Sequence, residues 1–277
     1  MSSNDTSTYA LGNTQPEDER LAWQAQRFDP LTERFFREAG IAAGQRVLDL
    51  GSGAGHVAML LAKIVGPHGE VVGVERSAIS IERAKARTLD AGFQNVTFTQ
   101  ADVRDIPRSD PFDAAVGRFI LMFLPDPVPV VRLLSQLVRP GGVLAFHEVS
   151  WAAFLERCAN LPLCFASAMM IHETFRRTGA NTEMGPALPS VFRNAGLPAP
   201  TMTSTTLLGN APDLTKWLVD ILYVLEAQMH DLGISRTRIG DIDTLSTRLL
   251  AELSSSRGVV GGPDLVGGWA KLAPMTA

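Results

Sequence analysis

Three acids stand where a nucleoside could be held. Glu75 closes an apolar run, Val71 to Val74, 24 residues after Gly51. A carboxylate at the end of a strand can accept hydrogen bonds from both hydroxyls of a ribose. Asp102 follows a second run, Val96 to Thr99, and Asp49 sits inside a third, Val47 to Leu50. That third run leads into Gly51-Ser52-Gly53-Ala54-Gly55-His56, with glycine at every second position, and then into a helical pattern. Glycines let a ligand approach bare backbone. The amides that open the next helix face such a ligand, with the positive end of the helix dipole behind them. A dinucleotide loop is spaced Gly-x-Gly-x-x-Gly around its pyrophosphate. Tighter spacing preceded by an acid suits a ligand with no phosphate and a cationic amino end.

Proton transfer would fall to histidine, whose pKa range suits a general base. Of the five histidines, His147, with Glu148, ends the apolar run Val143 to Val149, and His172 lies among Met169, Met170 and Ile171. Both are candidate catalytic residues. His56 reads as a neighbour of the ligand at a helix start, and His68 as part of an exposed Gly-Pro-His-Gly turn.

The elements that position these groups alternate. Glu17 to Phe28 and Leu31 to Ala39 predict two helices separated by Asp29-Pro30, an N-cap and first-turn proline. Strand and helix patterns then repeat through Val149, with Ser77 capping one helix and Gly141-Gly142 turning into the fifth strand. Alternation at this length means a parallel sheet with helices on both faces, and ligands bind beyond the carboxyl ends of its strands. Trp151 to Ala180 reads as helical, Leu188 to Ala195 as a shorter helix and Pro200 to Leu208 as a strand. Asp213 caps an amphipathic helix carrying Leu214, Trp217, Leu218, Ile221, Leu222 and Leu225. Ile242 to Leu253 predicts another helix, and the stretches around Val259-Val260 and Trp269-Ala270-Lys271 a last strand.

The chain has 277 residues, a net charge of −4 and no basic stripe, which argues against nucleic acid as a partner. Cys158 and Cys164, the two cysteines, fit a reduced cytoplasmic protein better than a disulfide framework. The polar start lacks the regions of a signal peptide, and no apolar run reaches the length of a membrane span. A small-molecule acceptor, no membrane and a possible homodimer are the partner expectations.

From Val47 to Val149 the chain resembles the class I S-adenosylmethionine (SAM)-dependent methyltransferases. The glycine loop, Glu75, the Gln100-Ala101-Asp102-Val103 stretch and Gly117 to Met122 follow the family order, as does the Val138-Arg139-Pro140-Gly141-Gly142 turn. The resemblance implies a doubly wound, mostly parallel seven-stranded α/β sheet with an N-terminal helical cap and helical lid insertions. It divides the chain into a cap (1–40), a Rossmann-like core (41–150) and a lid with the last strands (151–277). It implies SAM as cofactor, held by Asp49, Gly51, Ser52, Gly53, Gly55, Glu75 and Arg76 on one side. Asp102 and Val103 would take the adenine, and Gly117, Arg118 and Met122 the amino-acid and sulfur end. An N-terminal segment closes over the cofactor in many relatives, which makes Tyr9 and Gln24 candidates. The nearest group includes quinone-biosynthesis enzymes. No Asn/Asp-Pro-Pro-Tyr/Phe or Pro-Cys follows the fourth strand, which points to a small acceptor, apolar or aromatic, methylated at O, N or C. A SAM-binding regulator without turnover and a nicotinamide-dependent oxidoreductase are the alternatives. Phe165, Met169 and Met170 are expected to line the acceptor site.

Overall fold

Val47, Leu48 and Leu50 in β1 (Arg46–Leu50) have no solvent exposure, because β1 is central and covered on both faces. Such strands read as continuous apolar runs rather than alternating ones. The computed structural model describes residues 15–107, 109–256 and 260–273; Tyr9 and Val259 lie outside them. β2 (Glu70–Glu75) and β4 (Phe112–Arg118) flank β1 in parallel, with β3 (Val96–Gln100) beyond β2 and β5 (Val138–Ser150) beyond β4. β7 (Val260–Lys271) runs antiparallel to β5, and β6 (Thr201–Gly209) antiparallel to β7. The order β3-β2-β1-β4-β5-β7-β6 makes one seven-stranded mixed sheet whose direction of winding reverses between β1 and β4. Ligand crevices form at such a reversal.

On one face, α1 (Gln15–Glu38) and α2 (His56–Val65) bury Phe35, Phe36 and Leu61 against Val47, Val71 and Val116. On the other, α4 (Val128–Leu137) brings Leu134 onto the side carrying Leu48, Leu50, Leu144 and Phe146. Each such side chain contributes about 1.5–3 kcal/mol when fully buried. α3 (Ala78–Asp90) is capped by Ser77, whose hydroxyl accepts from the Ser80 amide at 3.2 Å. Buried side chains of α5 (Ala152–Cys158), α6 (Pro162–Arg177), α7 (Met184–Asn194), α8 (Ala211–Val224), α9 (Glu226–Asp231) and α10 (Leu245–Ser255) join the same core as Leu134.

Several expectations are corrected. The two N-terminal helices are one: Pro30 lies inside α1, removing one backbone hydrogen bond. Buried Phe28, Thr32, Phe35 and Phe36 anchor the helix on both sides of it, and Asp29 pairs with Arg118 instead of capping. The long helix after Trp151 breaks at residues 159–161, with Pro162 opening α6. Asn210, not Asp213, caps α8; its side chain accepts from the Asp213 amide at 2.9 Å. Gly141-Gly142 lies within β5, where the register slips between the Phe112–Val138 and Ala114–Val143 pairs. The thiols of Cys158 and Cys164 are free, with their sulfurs 3.0 Å apart. Among the described residues no helix is long and apolar enough to cross a membrane.

Candidate active site

A cavity of about 1150 Å³ lies beyond the C-terminal ends of β1, β2 and β4, beneath α1 and α8. Single small ligands usually occupy about 300–1,000 Å³. This space has room for a donor and an acceptor together.

The glycine loop forms one wall. Gly51 sits at φ +64°, and a Cβ there would come within 2.5 Å of the Ile120 side chain, so both backbone and space require glycine. Gly53 and Ser52 line the cavity beside it. Glu75 braces the loop: its carboxylate accepts from the Gly53 amide at 3.1 Å and the Ser77 amide at 2.9 Å. Gly55 departs from the expectation of a ligand contact and is not on the wall. It caps α2 at φ +84°, and a Cβ there would stand 3.0 Å from that of Ala84, so it serves helix packing. Asp49 is 1% exposed and lies behind the loop rather than on the wall. Burial pushes its carboxyl up to about 8, against the opposing pull of Arg118. Asp49 Oδ2, Ser52 Oγ and His56 Nε2 are buried without partners among the described residues. Buried orphan polar groups call for a ligand or water. The Glu75 carboxylate, the Ser52 hydroxyl and the bare glycine edge on the wall fit a ligand that carries hydroxyls.

Further along, Arg76, Asp102 and Val103 line the cavity. Asp102 is clamped by Arg104, whose Nε and Nη2 donate to it at 2.8 and 2.9 Å, and this holds its carboxyl down at about 2. Gln24 reaches the wall from α1 and accepts from Arg20 Nη1 at 2.7 Å. Arg20 also forms a bidentate pair with Glu17, and both line the cavity at 3% and 1% exposure. Sequence reasoning missed this pair, although the i, i+3 spacing on a helix was readable.

At the end of β4 the backbone is strained: Phe119 lies at φ 55°, its amide donating to the His147 carbonyl at 3.0 Å. Glu148, fully buried, accepts from the Ile120 and Leu121 amides at 3.1 and 2.8 Å and fixes the turn after β4. Arg118 and Met122 face the cavity, whereas Gly117 lies under Ile120 and off the wall.

Neither proposed base reaches the cavity. Alternation along β5 turns Val143, Ala145 and His147 towards α1 and α2. His147 there stacks on Phe35 at 4.8 Å and meets Thr32 Oγ1 at 3.2 Å. It is 2% exposed, inside the strand rather than at its end, and burial pushes its pKa down to about 3. His172 lies behind Trp151, ring centroids 6.1 Å apart, and is also off the wall. His56 is the histidine that lines it; burial, then Arg87 and Arg118, hold its pKa down at about 3. We expect His147→Ala to cost about 1–3 kcal/mol of stability, from the void behind Phe35, while kcat stays within about threefold. Denaturant unfolding and turnover of the same variant check this.

The buried carboxyls make stability depend on pH. Glu148 is raised by burial from 4.5 to about 8, so the folded protein binds a proton there that the unfolded chain has lost. Stability from this group is complete below 4.5 and lost as pH rises through about 8. The Tm of Glu148→Gln should therefore fall less than that of the wild type between about pH 5 and pH 8. Parallel slopes in a thermal scan would contradict it.

Another part of the wall is largely aromatic. Trp151, Trp217, Phe175, Phe28 and Ile221 line it. Trp151 packs against Trp217 at 5.8 Å and Phe175 at 6.1 Å. Glu183 fixes its backbone, accepting from the Trp151 amide at 2.8 Å and the Ser150 hydroxyl at 2.6 Å. Arg27 of α1 pairs with Asp213 of α8, tying the two helices together above the cavity. The expectation for α6 is corrected: Phe165, Met169 and Met170 are off the wall, and Met170 is buried in the helical layer. α6 reaches the cavity instead through Phe175, near its C-terminal end.

The sequence family described as "Methyltransferase domain" matches residues 41–194. The chain is 30% identical over 173 residues to the ubiquinone/menaquinone biosynthesis C-methyltransferase UbiE of Hahella chejuensis, covering 58% of this chain and 70% of that protein. It is 31% identical over 119 residues to a demethylmenaquinone methyltransferase of Staphylococcus aureus, covering 43% of this chain and 48% of the relative. The YcgJ protein of Bacillus subtilis shares the fold, with a TM-score of 0.54 at 15% identity, covering 88% of this chain and 97% of that one.

Proposed function

The chain belongs to the methyltransferase-domain family, and on that premise we propose that it transfers a methyl group from SAM to a small apolar or aromatic acceptor. The observation that carries this reading is one cavity lined both by the polar glycine loop and by a group of aromatic side chains. Gly51, Ser52, Gly53, Glu75, Asp102 and Val103 would hold the donor; Trp151, Trp217 and Phe175 would hold the acceptor. Both curated relatives carry names from quinone biosynthesis, and an aromatic, largely apolar acceptor agrees with the second wall.

When bound, SAM supplies a methyl group on a cationic sulfur, a good leaving group. The residues of the chain supply position and dehydration. The strained Phe119 turn, held by Glu148, sets the boundary between the two halves, and α1 with α8 covers them from water. With His147 and His172 off the wall, acceleration rests on this placement, and the acceptor presents an atom that is already nucleophilic.

The test is transfer of a tritiated methyl group to a panel of aromatic acceptors, with S-adenosylhomocysteine binding measured by calorimetry. Binding with transfer is expected. Binding without transfer to any of the panel would favour a non-catalytic regulator. Tighter binding of NAD would overturn the cofactor assignment.

A further inference from the structure

Gln24 carries an amide whose direction is settled by its neighbours on α1. Arg20 Nη1 donates to Gln24 Oε1 at 2.7 Å, while Nε and Nη2 fork onto Glu17 at 2.6 and 2.7 Å. An arginine side chain only donates, so the amide oxygen must face Arg20 and the amide nitrogen must face away from it. Nε2 then offers two N–H groups that have no acceptor among the described residues, on a side chain that lines the cavity. Glu17, Arg20 and Gln24 are all buried, so this order is held out of bulk water.

α8 brings a second donor to the same place. Arg27 pairs with Asp213, and Lys216 Nζ stands 5.6 Å from the centre of the Trp23 ring, so α8 runs forward as α1 runs back. The turn of α1 that holds Gln24 is therefore level with the turn of α8 that holds Trp217. Trp217 lines the cavity too, and its indole Nε1 is buried without a partner among the described residues. A buried donor left unpaired is destabilising until a ligand or water satisfies it. The ring packs on Trp151 at 5.8 Å, which puts this donor in the aromatic part of the wall. Indole and amide N–H groups are neutral, and the Glu17–Arg20 pair behind Gln24 balances its own charge. Two such donors suit a carbonyl or phenolic oxygen better than an amine, which would bring more donors of its own.

Resting on the methyl-transfer reading above, we infer that Gln24 Nε2 and Trp217 Nε1 form a two-donor subsite for one oxygen borne on the acceptor ring. Arg20 and Glu17 are positioning residues that fix the amide. The subsite sets specificity, because a ring without the oxygen leaves both donors unpaired. Gln24 then serves the acceptor rather than the cofactor.

The experiment uses protein saturated with S-adenosylhomocysteine and two probes, 2-naphthol and naphthalene, followed by equilibrium dialysis. Gln24→Glu keeps an oxygen for Arg20 and removes the N–H groups; Trp217→Phe keeps a ring and removes the indole donor. Each should weaken 2-naphthol by roughly 5- to 50-fold and naphthalene by less than about threefold. Arg20→Met frees the amide to turn over and should take part of the same loss, again for 2-naphthol alone. Gln24→Met carries the comparison if the glutamate variant does not fold. Equal losses for both probes would make these side chains packing and overturn the inference. So would unchanged affinity for 2-naphthol, and a fall in S-adenosylhomocysteine affinity alongside it would move Gln24 to the donor. Wild-type protein that binds S-adenosylhomocysteine and neither probe would remove the oxygen-bearing ring, and the inference with it. Wild-type protein that does not bind S-adenosylhomocysteine would instead sink the cofactor reading on which the inference rests.

Discussion

Trp151→Ala should lower the unfolding free energy by about 3–5 kcal/mol, the usual range for truncating a buried aromatic residue. The ring is 2% exposed and sits among four others, with Phe154 at 5.6 Å, Trp217 at 5.8 Å, and Phe175 and His172 both at 6.1 Å. These come from α5, α6 and α8, so the void would open between three elements that cannot all collapse into it. The same ring lines the cavity, and its removal enlarges the aromatic side without touching the glycine loop. If the variant folds, acceptor preference should shift towards bulkier molecules while S-adenosylhomocysteine affinity changes by less than about threefold. Trp151→Phe keeps an aromatic contact and should cost about 1–3 kcal/mol. Denaturant unfolding together with an acceptor series checks both effects. A donor affinity that collapsed while acceptor preference stayed fixed would place Trp151 on the wrong half of the cavity.

The glycine-loop side of the cavity was legible because its signals are local. Gly51, Ser52, Gly53 and Glu75 owe their places to strand ends and tight turns, which short windows of sequence encode. The aromatic side depends on contacts made across long stretches of chain. Arg27 meets Asp213, and Thr32 meets His147, only after α1 has docked on the sheet. His147 looked like a base because it neighbours Glu148 near a strand end. The period-two pattern of Val143, Ala145 and His147 already placed it on the α1 face, and would have argued against that role. Pro30 misled because a proline in a helix is costly in isolation, whereas here buried Phe28 and Phe35 hold the backbone on either side. Phe165 and Met169 misled differently. An apolar residue on a helix next to a cavity still has two apolar destinations, and composition cannot choose between the cavity and the helical layer. Trp151, the residue after β5, was readable only as the start of a helical stretch. Its weight in the cavity comes from Glu183, 32 positions away, which fixes its backbone.

Glu75→Ala should weaken S-adenosylhomocysteine binding by roughly 1–3 kcal/mol, about 5- to 150-fold, the range for hydrogen bonds to a charged group. Two losses combine in that figure. The carboxylate faces the cavity, where it would accept from the ribose hydroxyls, and it also holds the loop through the Gly53 and Ser77 amides at 3.1 and 2.9 Å. Glu75→Gln separates them. Its amide oxygen can still accept from one backbone amide, while the charge and the second acceptor are gone. If loop bracing dominates, Glu75→Gln should recover most of the affinity; if hydroxyl binding dominates, it should stay close to Glu75→Ala. A 2′,3′-dideoxy analogue of the ligand completes a cycle: against it, Glu75→Ala should lose only the bracing contribution. The two effects would then be apportioned by measurement, since both act through one carboxylate. Unchanged affinity in a folded Glu75→Ala protein would remove Glu75 from the donor site. The nucleoside would then have to be held elsewhere along β2 and β3.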